Sequence, residues 1–186
     1  MLFAVTAHPI LLSLKSKFII GYLDDLTAGD VANVLADDFD QICEQAGNIG
    51  LSLNVHKCEI ISNTGFSNLP QQFNNFKKII PEESELLGAP LINSEALSRA
   101  LDARCSDLAR ASNRLKLLST HDALLILKHS LSSPKVLYLL RCSPCTGHDA
   151  LDVFDANLRL ALSGITNVDI SDQAWIQASL PVAQGA

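Results

Sequence analysis

Residues 18 to 30 read FIIGYLDDLTAGD, an apolar run that stops at two adjacent carboxylates. The β-branched and aromatic side chains from Phe18 to Leu23 suit a strand, and Asp24 and Asp25 fall where that strand must turn. At ~4 Å two like charges cost about 1 kcal/mol in water and about 4 at an effective dielectric of 20, so a solvated turn carries the pair with little penalty. The same two carboxylates can also hold a divalent cation. On this stretch alone an ordinary turn and a metal site are both open.

Working outward, Thr27 to Gly29 lead to Asp30, which is expected to cap a helix running to about Ala46. Val31, Val34, Leu35, Ile42, Ala46 and Ile49 form its apolar stripe, Asp37, Asp40 and Glu44 its opposite face, and Gly47 and Gly50 its stop. Cys58 to Ile61 reads as a strand, and residues 62 to 77, rich in Ser, Asn, Gln and Pro, as a loop or weak helix. SELLGAPLI, residues 84 to 92, reads as a hairpin bent at Gly88-Ala89 with Pro90 just past the bend.

From Ser94 the pattern turns helical. Leu97, Leu101, Leu108, Leu115 and Leu118 line one face of a long helix, Arg99, Arg110 and Arg114 gather on the other, and Arg104 falls within the apolar stripe, to snorkel or to face a partner. A second helix over THDALLILKHSL starts near Thr120 or Asp122 and ends at Ser132 to Pro134. Lys135 to Arg141 is a further apolar segment, and Asp149 to Gly164 a further amphipathic helix on Leu151, Phe154, Leu158 and Leu162. The fold class expected is α+β, with a boundary near residues 92 to 94.

Composition narrows the function. A chain of 186 residues that is 48% hydrophobic buries a core and is not disordered. Its net charge of -6 argues against a phosphate partner, but the distribution does not. Between Arg99 and Arg141 eight basic residues face three acids, a local surplus of five positive charges. The acids concentrate from Asp24 to Asp40 and from Glu82 to Glu85. One Trp leaves little stacking platform for single-stranded bases. Five irregularly spaced cysteines without a secretory leader read as reduced intracellular thiols. Lys15 and Lys17, and later Lys128, Pro134 and Lys135, interrupt the apolar runs, so no membrane span is expected. Cys142, Cys145 and His148 fall short of the four ligands of a structural zinc site, and no zinc is expected.

Four blocks carry a family resemblance. Tyr22-Leu23-Asp24-Asp25 has the Y-x-D-D form of the catalytic hairpin of reverse transcriptases. Upstream, MLFAVTAHPIL resembles the tail of the family's Gly-rich template-contacting motif. Downstream, NIGLSLNVHKCEI resembles the G-L-x-L-N-x-x-K-C-E segment of non-LTR (LINE-like) retrotransposon polymerases, and ELLGAPL their primer-grip hairpin. LRLALSGITNVDISDQAWIQASLPVAQGA also resembles sequence that follows the polymerase domain.

The resemblance implies the second half of a palm over residues 1 to 92, with antiparallel hairpin strands and a helix, followed by a helical thumb-like region over 93 to 186. It implies RNA-directed DNA polymerase chemistry with two Mg²⁺ ions, for which Mn²⁺ can substitute, on an RNA template and a DNA primer. Asp24 would be the direct metal ligand, Asp25 a weaker one, and Tyr22 would pack near the primer terminus. Lys57 would serve the pyrophosphate leaving group, or be a plain solvated lysine. Leu87 and Gly88 would sit at the primer grip, and Arg99, Arg110 and Arg114 would follow the duplex backbone by charge.

The family's third metal-binding carboxylate lies upstream of the Y-x-D-D turn, and no Asp or Glu precedes Asp24 here. The expectation is therefore a fragment inactive as an isolated chain, with an open strand edge that a partner chain would complete. The competing readings are a non-enzymatic nucleic-acid binder that uses the basic helices of residues 99 to 141, and a truncated reading frame with no role.

Overall fold

A computed structural model describes residues 2 to 180, and the chain divides into two compact units, residues 1 to 80 and 81 to 186. The last six residues of the tail quoted above, 181 to 186, lie outside the described residues. The architecture is α+β: helices predominate, with three small two-stranded sheets among the described residues.

The N-terminal unit begins with α1 (Leu2–Ser13), followed by an antiparallel hairpin of β1 (Phe18–Tyr22) and β2 (Asp25–Gly29). The next helix, α2 (Ala32–Asn48), stops where Gly50 takes a φ of +76°, a conformation that a side chain would resist. Asp30 is not the cap. Val31 is the N-cap, with an apolar side chain that can make no capping bond, and the Asp30 carboxylate is taken by the amides of Val31 and Lys17. Val31 and Ile49, the ends of the expected stripe, are exposed, while Ala36, Asp38 and Ala46 are buried. The strand expected from Cys58 is β3 (Glu59–Ile61), which pairs in parallel with β4 (Lys77–Ile79) rather than in a hairpin. Between them, a 3-10 turn (Gln71–Phe73) inserts Phe73 into an edge-on ring cluster with Phe39 of α2 and Phe76. This cluster and the bond from Gln72 to Asp40 fix the Asn- and Gln-rich stretch against the helix.

The C-terminal unit opens with a short hairpin, β5 (Glu85–Leu86) and β6 (Ala89–Pro90), so the boundary falls at 80/81, not at 92/93. The reason is packing: Ala89 and Pro90 are buried, and β6 lies against the two helices α3 (Glu95–Leu115) and α5 (Ser133–Cys142). The bend is Leu87-Gly88, not Gly88-Ala89, since Leu86 pairs with Ala89 and both intervening residues have positive φ.

α3 buries Leu97, Leu101, Cys105, Leu108, Ser112 and Leu115 and packs chiefly on α6 (Asp149–Thr166). Cys105 takes the stripe position beside Arg104, which turns aside to pair with Asp107 at 3.6 Å, and Leu118 lies beyond the helix end and is exposed. α4 (Thr120–Ile126), capped by the Ser119 hydroxyl, continues into a π turn (Leu127–Leu131) before α5. α6 runs two residues past the expected Gly164 and closes at Asn167, in the left-handed region. Of its expected stripe Phe154 is buried, while Leu151, Leu158 and Leu162 are half-buried against the same core. α7 (Asp172–Ser179) follows, tied to α6 by Arg159, which pairs with Asp172 and donates to the Ile170 carbonyl. No helix among the described residues is long and apolar enough to cross a membrane.

Candidate functional site

The β1–β2 register pairs Tyr22 with Asp25 and leaves Leu23 and Asp24 as a two-residue loop. Such loops match the twist of the flanking strands when their first residue has positive φ. Leu23 fills that position with φ +55° and no glycine to ease it, a strain of about 1–2 kcal/mol for an L-residue. The result is an exposed tip with Asp24 in the loop and Asp25 opening the return strand on the face of Tyr22, which is itself 56% exposed. Neither carboxylate forms an ion pair among the described residues.

Alternation gives the hairpin two different faces. Ile19, Gly21, Leu26 and Ala28 share one face, and a Cβ placed on Gly21 would come within 2.8 Å of Leu11 Cδ1 in α1. Phe18, Ile20 and Tyr22 share the other, and all three are exposed.

At its root the hairpin hangs from α2. The Asp38 carboxylate, 1% exposed, accepts from the Lys15 amide at 2.9 Å, the Ser16 amide at 2.8 Å and the Ser16 hydroxyl. Burial raises the Asp38 pKa, but the Ser16 hydroxyl and the two amides outweigh it and hold the group below the usual aspartate value. Next along the chain, the Lys17 amide donates to Asp30 at 2.9 Å. The amides of Val31 and Lys17 lower the Asp30 pKa in turn. Gln41 Nε2 donates to the Ser13 hydroxyl at 2.7 Å and to its carbonyl at 3.3 Å, closing the end of α1. Sequence reasoning passed over this polar row. Its signal was Asp38, Gln41 and Gln45 at helical spacing, a second polar row beside the Asp37, Asp40 and Glu44 face.

Lys57 ends a 3-10 turn (Val55–Lys57), is exposed, and forms no ion pair with Asp24 or Asp25. Leu87 and Gly88, with φ +51° and +77°, form the tip of the second hairpin, where the Tyr138 hydroxyl donates to the Leu87 carbonyl at 2.6 Å. Arg99 is engaged by Glu83 at 2.6 Å and Glu95 at 3.7 Å, and Arg110 by Asp107 at 2.5 Å. Arg114 is exposed without an ion pair among the described residues, as are Lys116, Lys128 and Arg141. The positive surplus counted within residues 99 to 141 is thus partly met by Glu83 and Glu95 outside that window.

His148 uses both ring nitrogens, one accepting from the Ala150 amide at the start of α6 and the other paired with the Ser98 hydroxyl at 3.0 Å. Cys145 is buried against the Leu139 carbonyl. Among the described residues no three His, Cys, Asp or Glu side chains converge as a metal-holding group. In the N-terminal unit a cleft of about 450 Å³ is lined by Asp30, Leu35, Ile60 and residues 61 to 65 and 67 to 69, and Asp24 and Asp25 are not part of it. The acid pair stands on a projecting tip, available to a ligand that approaches from outside the unit. No protein-family model, curated protein or solved structure matches the chain.

Proposed function

We propose that the chain is a fragment of the reverse transcriptase domain of a non-LTR retrotransposon, the latter part of a palm followed by a thumb-like region. The observation that carries this reading is the Tyr22-Leu23-Asp24-Asp25 turn: a two-residue hairpin loop with both carboxylates exposed and free of ion pairs among the described residues. Two adjacent carboxylates on a short, regular hairpin suit Mg²⁺, which takes oxygen ligands and keeps several waters. Order supports it as well, since the G-L-x-L-N-x-x-K-C-E-like segment and the Leu87-Gly88 hairpin follow in the sequence expected of such a domain.

Template-directed nucleotidyl transfer joins a primer 3′ oxygen to the α-phosphorus of a nucleoside triphosphate and releases pyrophosphate. A pair of Mg²⁺ ions, when bound, acidifies the primer hydroxyl and offsets the phosphate charge. Asp24 offers the direct oxygen ligand and Asp25 the supporting one. Tyr22, on the Asp25 face of the strand, flanks the primer terminus. Lys57 is exposed and has no ion pair among the described residues, which leaves it able to meet a departing phosphate. With two carboxylates and no third in reach among the described residues, the isolated chain binds Mg²⁺ weakly and does not extend a primer.

Primer extension on a primed RNA template with Mg²⁺, comparing the chain with its Asp24→Ala, Asp25→Ala variant, tests this. No extension by either is expected. Extension lost in the variant would make the chain an enzyme and overturn the inactive reading. A second reading, a nucleic-acid binder without metal chemistry, is favoured by Arg114, Lys116, Lys128 and Arg141, exposed and without ion pairs among the described residues. Its mark is salt-sensitive duplex affinity unchanged by Asp24→Asn.

A further inference from the structure

We infer that Asp38 is a positioning residue for the acid-bearing hairpin: with Asp30 it grips the three successive backbone amides of Lys15, Ser16 and Lys17, and so sets where β1 begins and where Asp24 and Asp25 point. The role assigned to Asp24 and Asp25 rests on the proposed function; the grip itself does not.

The geometry is specific to a carboxylate. Three donors converge on Asp38: the Lys15 amide, shared between Oδ1 at 2.9 Å and Oδ2 at 3.2 Å, the Ser16 amide at 2.8 Å, and the Ser16 hydroxyl. The last two meet at Oδ2, while Oδ1 faces the Lys15 amide, so donors face both oxygens. An asparagine keeps one acceptor, and its NH₂ group has to face a donor. The next amide along the chain, that of Lys17, goes to Asp30 at 2.9 Å. The charged groups around this grip are few. Asp30 and Asp38 repel each other weakly through space, Lys15 and Lys17 offset them, and the Lys17 ammonium stands 4.0 Å from Asp30 while remaining mostly in solvent.

The segment so held is all but Leu14 of the connection between α1 and β1. Ser13 before it bonds Gln41 and Gln45 as well as Ile10 of its own helix, and the side-chain bonds to the backbone amides of Lys15, Ser16 and Lys17 come from α2 and from Asp30 just before it. Beyond Lys17, the hairpin has one face over α1 and the other in solvent. Nothing at the tip replaces the grip at the root, so freedom at residues 15 to 17 is passed along β1 to the acid pair.

The test is amide hydrogen exchange on the full chain, read together with paramagnetic broadening by Mn²⁺ alone at the amides of Tyr22 to Asp25. In Asp38→Asn, exchange of the β1 and β2 amides is expected to rise about tenfold or more, the scale set by losing a charge-assisted hydrogen bond, with α3 and α6 unchanged. Mn²⁺ broadening at the tip is expected to weaken in the same variant, a loss that general softening of the unit would not confine to those four amides. If Asp38→Asn also melts α2, Ser16→Ala decides, because it removes one donor and keeps the charge. Faster exchange in the hairpin with α2 unchanged supports the grip, and unchanged hairpin exchange overturns it. Should wild-type chain show no Mn²⁺ broadening that Asp24→Asn, Asp25→Asn abolishes, the metal reading fails, while the exchange data still judge the grip on its own.

Discussion

Two hairpins in this chain are built to the same plan and secured at opposite ends. Each has a two-residue loop with a leucine at positive φ, Leu23 in one and Leu87 in the other. The second is held at its tip by the Tyr138 hydroxyl, and its return strand is buried, Ala89 being 1% exposed. The first is held at its root by carboxylates of and beside α2, and its tip stands clear with Leu23 70% exposed. A hairpin fastened at the tip can only support its surroundings. One fastened at the root can present what its tip carries, here Asp24 and Asp25.

Removing the root grip gives the largest expected effect. Asp38→Ala leaves the buried Ser16 amide and hydroxyl without an acceptor and is expected to cost the N-terminal unit about 3 kcal/mol, measured by urea unfolding followed in that unit. The C-terminal unit serves as the internal control. Acid acts through the same groups. Asp30 and Asp38 are held below the ordinary aspartate value of 3.8, so their stabilisation is complete above that pH and is lost as pH falls through their lowered folded values. Hairpin amide protection is therefore expected to decline below pH 3.8 in wild type, and Asp38→Asn to lose the Asp38 share of that decline.

The tip fastening of the second hairpin is smaller. Tyr138→Phe removes the bond to the Leu87 carbonyl and is expected to cost about 1 kcal/mol, read as faster amide exchange at residues 85 to 89. Smallest is the strain the two loops share. Leu23→Gly relieves a positive φ but loosens the unfolded chain, for a net gain of about 0.5–1 kcal/mol by thermal unfolding. Leu87→Gly should gain less, because the structure around it is already over-determined by Tyr138. Equal gains would mean that the two hairpins differ less than their anchoring implies.

Much of this was legible in the sequence. The Phe18 to Leu23 run announced a strand, and the acid pair marked its turn, because β-branched and aromatic residues followed by two carboxylates leave few alternatives. The long α3 was legible from its leucine spacing. Three things were not. Asp30 looked like a helix cap, but capping depends on which amide is nearest, and Lys17, thirteen residues earlier, supplied a competing donor that no local pattern reveals. The Leu87-Gly88 bend was displaced by one residue because a register is set by both strands and by the burial of Ala89 and Pro90. The burial of Asp38 was invisible, since an aspartate between Asp37 and Asp40 on a helix reads as solvated until its partners at Lys15 and Ser16 are known. Among candidate site residues, the sequence singled out the acid pair but not what holds it.

The most direct test of the account is the affinity of the chain for a primed RNA–DNA hybrid as a function of Mg²⁺, in wild type and in the Asp24→Asn, Asp25→Asn variant. The account predicts binding strengthened by Mg²⁺ in wild type and a Mg²⁺ dependence lost in the variant, with a salt-sensitive remainder from the basic helices common to both. Affinity independent of Mg²⁺ and identical in the two proteins would contradict it and leave the acid pair an ordinary solvated turn.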